Sequence, residues 1–123
     1  DVPNFDLFLR LVEDERYRGR VFGDISAMTL VTRCGRPLRT LLERPDLHHA
    51  LVYGSDYPVP AVDVLVQTGK LVSEGYITDE QAKALEEIYE ANPLLSDFVV
   101  NRTLRAPNGG RGFPVDIFLR DIL

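Results

Sequence analysis

The sequence predicts an α/β fold built on a parallel sheet. Three observations carry this expectation. Helical patterns alternate with short apolar runs in the order helix, strand, helix, strand, then several helices. The run Ala50–Ser55 (ALVYGS) is almost continuously apolar, as in a strand buried on both faces. Proline or glycine marks most changes of element. Parallel neighbours require a crossover connection, and such crossovers are right-handed.

Taken in order, residues 4–16 read as a helix, with Asn4 as N-cap and Phe5, Phe8, Leu9 and Val12 recurring at helical spacing. Tyr17 to Arg20 is a polar link in which Gly19 stops that helix. Arg20 to Ile25 reads as a short strand. Ser26 to Gly35 is open between a strand extension, a loop and an irregular turn. Pro37 suits the first turn of a helix carrying Leu38, Leu41 and Leu42, and Pro45 ends it. After the strand Ala50–Ser55, the prolines at 58 and 60 take the chain out of the sheet. Val62, Leu65, Val66, Gly69 and Val72 give a helix that stops near Gly75. Thr78-Asp79-Glu80-Gln81 matches a capping box and opens a helix through Ala82, Leu85, Ile88 and Tyr89. Asn92-Pro93 caps and restarts a helix with Leu94, Leu95, Phe98 and Val99. Residues 106–112 (APNGGRG) read as a connector, and Phe113 to Leu123 as an apolar tail that docks on a hydrophobic surface. The division is therefore 1–105 for the α/β part and 106–123 for loop and tail.

Composition limits the function classes. With 123 residues, 45% hydrophobic and 27% charged, the chain can bury a core, which excludes a disordered tail or a low-complexity linker. The net charge of -5 and the lack of a basic stripe argue against nucleic acid as a partner. No apolar run approaches the ~20 residues that span a bilayer, so no membrane partner is expected. No charged segment leads into an apolar one as in a secretory leader. The single cysteine, Cys34, excludes an internal disulfide framework and points to a reducing cytoplasm. Two strands cannot hold a parallel sheet alone, so further strands are expected from another chain or from sequence not included here.

Gly54-Ser55-Asp56-Tyr57-Pro58 is the stretch richest in chemistry. It sets an acid at the C-terminal end of a buried strand, where α/β folds build their sites. A carboxylate there can ligate a metal or take a proton from water. The plain structural alternative is an Asx-turn in which Asp56 caps the chain before Pro58.

These residues, Tyr53-Gly54-Ser55-Asp56-Tyr57-Pro58, resemble the last-strand motif of the amidohydrolase-related (metal-dependent hydrolase) superfamily. Phe22-Gly23-Asp24-Ile25-Ser26 is similar to that family's preceding strand. Ile77-Thr78-Asp79-Glu80-Gln81 through Ile88 to Asn92-Pro93 is similar to its final helix and C-terminal Asn. The resemblance spans roughly residues 5–104. It implies the C-terminal portion of a (β/α)8 TIM barrel, about two of its βα units plus the C-terminal helices, with the active site at the C-terminal face. A barrel needs about 250 residues, and the chain begins at Asp1 rather than Met. The resemblance further implies a divalent metal, zinc in the first instance, that activates water for attack on an amide, ester or lactone. Asp56 is then the metal ligand or the base. The family's His-x-His and its middle-strand histidines have no match in this sequence. No cofactor is expected on the 123-residue chain alone, which should be inactive. A metal-dependent decarboxylase of the same superfamily is the alternative activity. A non-catalytic, self-associating α/β module is the alternative class. The partners expected are a small-molecule substrate in the parent, and either the missing barrel half or further copies of the chain.

His48 and His49 do not replace the missing ligands. They precede the strand whose far end carries Asp56, and at about 3.3 Å per residue that separation is about 23 Å. Metal donors lie about 2.0–2.2 Å from the ion. Ser26 follows the first strand on the same face and is a weak substrate-binding candidate, with a loop hydrogen bond as the plainer role. Arg33 is a weak candidate for an anionic substrate group, with solvation as the plainer role, and Tyr57 for lining the pocket, where packing serves as well. Cys34 lacks a nearby base and reads as a structural thiol. The glycines at 109, 110 and 112 lack the Lys-Ser/Thr of a phosphate loop. Asp79, Glu80, Glu86, Glu87 and Glu90 read as a solvated helix face.

Overall fold

The computed structural model describes residues 2–54 and 64–122. Helix α1 (Asn4–Glu13) leads through a short 3-10 turn (Glu15–Tyr17) to strand β1 (Gly23–Asp24). Helix α2 (Arg36–Glu43) and a second 3-10 turn (Pro45–Ala50) then lead to strand β2 (Leu51–Val52). Helices α3 (Val64–Ser73), α4 (Asp79–Ala91), α5 (Pro93–Thr103) and the single-turn α6 (Val115–Leu119) complete the described chain. The two strands pair in parallel, Gly23 opposite Leu51 and Asp24 opposite Val52, with α2 in the crossover. The fold is therefore α/β, with a two-stranded parallel sheet among the described residues.

Several boundaries differ from the sequence expectation, each for a local reason. Pro3, not Asn4, is the N-cap of α1, because proline presets the extended backbone at that position while Asn4 already takes helical geometry. The helix stops at Glu13 instead of residue 16, because the Asp14 carboxylate accepts the Arg16 amide and starts the 3-10 turn. Both strands are shorter than expected. Ile25 extends the pairing by one further hydrogen bond, to the Val52 carbonyl at 2.9 Å. Residues 26–35 form successive turns, closed by Met28 on Ile25, Leu30 on Ala27 and Cys34 on Leu30. Residues 106–112 are not a loose connector. Ala106 and Arg111 close a turn at 3.0 Å, with Asn108 and Gly109 in the left-handed region.

The helices start and stop as their sequences specify. Thr78 accepts the Gln81 amide while the Gln81 side chain accepts the Thr78 amide, a complete capping box. Asn92 Oδ1 accepts the amides of Leu94 and Leu95 and so starts α5. α3 ends in a Schellman motif: Gly75, at φ +84°, lets Tyr76 donate to the Leu71 carbonyl and Gly75 donate to Val72.

The core runs between α2, the sheet and the C-terminal helices. Leu38, Leu41 and Leu42 of α2 meet Leu47, Leu51, Leu71, Leu85 and Leu104, and α4 packs against both α3 and α5. The tail docks as an apolar segment should, burying Phe113 and Ile117. α5 reverses the expected polarity. Leu94 and Leu95 are exposed, and Ser96, Asp97 and Asn101 are buried. Apolar positions lie on both sides of this helix, so periodicity could not select its inner face. Among the described residues, no helix is long and apolar enough to cross a membrane.

Removing the Thr78 hydroxyl takes one acceptor from the start of α4. Thr78→Ala is expected to lower stability by about 1 kcal/mol in chemical denaturation. An unchanged midpoint would show that α4 is held by packing alone.

Candidate functional site

The C-terminal end of the sheet is organised by Asp24. Its Oδ1 accepts the Ser26 amide at 2.8 Å, an Asx turn, and the Gly54 amide at 3.0 Å. One carboxylate oxygen therefore ties the end of β1 to the chain leaving β2. Glycine leaves room for this approach: a Cβ on Gly54 would lie 2.6 Å from Asp24 Oδ2, and the carboxylate would have to shift. Ala27, next in the turn, has φ +56° although it carries a side chain and is buried. Backbone strain of this kind collects at functional sites.

Asp56 and Tyr57 lie outside the described residues. Gly54, which begins the Gly54-Ser55-Asp56 stretch, is the last described residue before them. Ser26 is half-buried and joins the site through its backbone amide on Asp24, the plainer of its two expected roles. Arg33 is exposed on the rim of a hollow of about 360 Å³ formed with Asn4, Phe5, Met28 and Pro37. A second hollow, about 230 Å³, is bordered by Asp24 and Gly23 over Phe5, Phe8, Met28, Leu41 and Leu51. Phe5 and Met28 are common to both, so Arg33 and Asp24 border adjoining hollows. The Asp24 bridge is not among the expectations from sequence. The spacing Asp24-Ile25-Ser26 was the available signal, since an aspartate commonly accepts the amide two residues on.

His48 and His49 lie in the 3-10 turn at the other end of β2. His48 Nε2 is 2.7 Å from the Leu41 carbonyl and His49 Nδ1 is 2.8 Å from the Asp46 carbonyl. Among the described residues no group of three His, Cys, Asp or Glu is placed to hold a metal ion. Asp24 offers one carboxylate where a divalent ion takes four or more donors. The described residues alone therefore do not fit a metal. Cys34 is fully buried, its Sγ 3.5 Å from the Val31 carbonyl, and burial pushes its thiol up from the ordinary value. It is a core thiol.

A second polar contact backs β2. The Tyr53 hydroxyl donates to Asp97 Oδ2 at 2.9 Å, and its ring packs with Phe98 and Phe118. Burial first, and the Asp97 charge second, hold the phenol well above the ordinary tyrosine range. Because the folded value lies above the unfolded value of about 10, the associated stability is complete below that pH and is lost as pH rises beyond it.

Two outcomes are expected. Gly54→Ala should displace the Asp24 carboxylate and cost about 1–3 kcal/mol, measured by denaturation; a neutral result would mean that the bridge relaxes freely. Wild-type Tm should fall as the solution is taken above pH 10, and fall less in Tyr53→Phe. Equal slopes would exclude Tyr53 as the titrating group.

No protein-family model, no curated protein and no solved structure matches the chain.

Proposed function

We propose that the chain is the C-terminal part of an amidohydrolase-related (β/α)8 barrel, and that the barrel is a metal-dependent hydrolase acting on an amide, ester or lactone. The observation that supports this reading most directly is the Asp24–Gly54 bridge. It joins the C-terminal ends of two parallel strands at the head of the Gly54-Ser55-Asp56 stretch. Rigid strand ends of this kind are where barrel enzymes build their chemistry. Asp56 is the residue assigned to ligate the ion or to act as base toward water. Asp24 holds the Gly54 amide, two residues before Asp56 in the sequence.

A divalent ion, zinc in this reading, would be held in part by Asp56 and would supply Lewis-acid activation of water. Its remaining donors must come from outside the described residues, including the barrel strands of a longer chain. The chain alone is then inactive, and its partners are a small-molecule substrate and the rest of the barrel. Cys34, buried and free, accords with a reducing cytoplasm.

The test is Asp56→Asn in the longer protein. Turnover should fall by about 10²–10⁴-fold, the usual contribution of a positioned acid or base, with the thermal transition kept. Full activity in a folded variant would remove Asp56 from the mechanism.

A further inference from the structure

β2 has two edges, and different parts of the chain serve them. Val52 accepts the Ile25 amide, so its backbone groups face β1. Successive residues of a strand alternate in the edge they serve, so Leu51 and Tyr53 turn theirs to the outer edge. A parallel neighbour on that edge would use a single residue. It would donate its N–H to the Leu51 carbonyl and accept the Tyr53 N–H on its C=O.

The C-terminal tail supplies one group of each kind. The Ile117 carbonyl accepts the Tyr53 amide at 3.0 Å. Arg120 Nη1 donates to the Leu51 carbonyl at 2.5 Å, and to the carbonyls of His48 at 3.0 Å and His49 at 2.8 Å. A carbonyl of α6 and a guanidinium thus take the two positions that one strand residue would fill. Around them Ile117 is buried and Phe118 packs against Tyr53 and Phe98, while Val115 and Leu119 are 50% and 76% exposed.

An amide has one hydrogen, and Tyr53 gives its hydrogen to Ile117. In a closed barrel every strand pairs on both edges, and the last strand pairs with the first. β2 is the last strand among the described residues. Closure of a barrel through β2 and the Tyr53–Ile117 bond therefore exclude each other. We propose that residues 113–122 are an exchangeable strap. In the 123-residue chain they hold the outer edge of β2, and in the longer protein a parallel strand of the barrel takes that edge and displaces the Ile117 carbonyl. The His48 and His49 carbonyls lie in the turn ahead of β2, outside the pairing, so Arg120 keeps its hold there and serves as the hinge. The proposal rests on the barrel reading. It gives the tail a role in the chain alone, since a covered edge does not recruit a foreign strand.

The test measures amide hydrogen exchange at Tyr53 in the 123-residue chain and in the longer protein, each with and without Arg120→Ala. In the chain, Arg120→Ala should raise Tyr53 exchange at least tenfold while Leu85 in α4 is unchanged. In the longer protein a strand holds the amide, and the same substitution should leave Tyr53 exchange unchanged. A folded chain variant with unchanged Tyr53 exchange overturns the strap. A tenfold rise in the longer protein as well overturns the exchange of partners, because the tail then still holds β2. Should Arg120→Ala also lower protection at Leu85, Arg120→Lys, which keeps the cation without the fork, is read in the same two ways. No turnover enters this comparison, so the hydrolase chemistry is decided separately by Asp56→Asn, and either can fail while the other stands.

Discussion

Parallel pairing of β1 with β2 is the constraint on which the rest of the molecule depends. It cannot be made by a tight turn, so α2 and its flanking turns must cross over the sheet. That crossover brings Leu38, Leu41 and Leu42 onto the strands and creates the core that α3, α4 and α5 extend. It also sets both C-terminal strand ends side by side, and only in that arrangement can Asp24 reach the Gly54 amide. A two-stranded sheet has as many open edges as strands. On β2 the tail meets the outer edge, through the Ile117 carbonyl and Arg120.

The two ends of the sheet serve different purposes. At the N-terminal end of β2, carbonyls of the 3-10 turn are gathered by one guanidinium, and the histidines are occupied with backbone. At the C-terminal end, a strained alanine, a glycine with no room for a side chain and a bridging carboxylate lie within a few residues of one another. Such local conflicts reduce stability and persist where geometry matters more.

Much of the fold was legible because local chemistry specified it. Thr78 with Gln81, Asn92, Gly75, Pro37, Pro45 and Pro93 each act over three or four residues, and each lies at a boundary. The β–α–β order followed from apolar runs, helical periodicity and the prolines that bound the crossover helix. What sequence did not show was set by contacts distant along the chain. The Tyr53–Asp97 hydrogen bond lies on the buried side of α5, a side that a pattern apolar on both faces does not mark. The Arg120 contacts follow from the tail's path, which no periodicity encodes. Asp24 was only half legible: its Asx turn is local, but its hold on Gly54 needs the parallel register. Asp56 and Tyr57 came from motif and strand-end position, and both lie outside the described residues.

The span between Arg120 and Leu51 carries a kinetic consequence. The two are 69 positions apart in sequence, so their contact closes a long loop and must follow the shorter-range pairings that fold at lower entropic cost. The α4 cap and the α2 crossover can form while the outer side of β2 is still bare. The hazard of intermolecular pairing therefore belongs to the folding pathway more than to the finished molecule, and it is greatest where concentration is high and refolding slow.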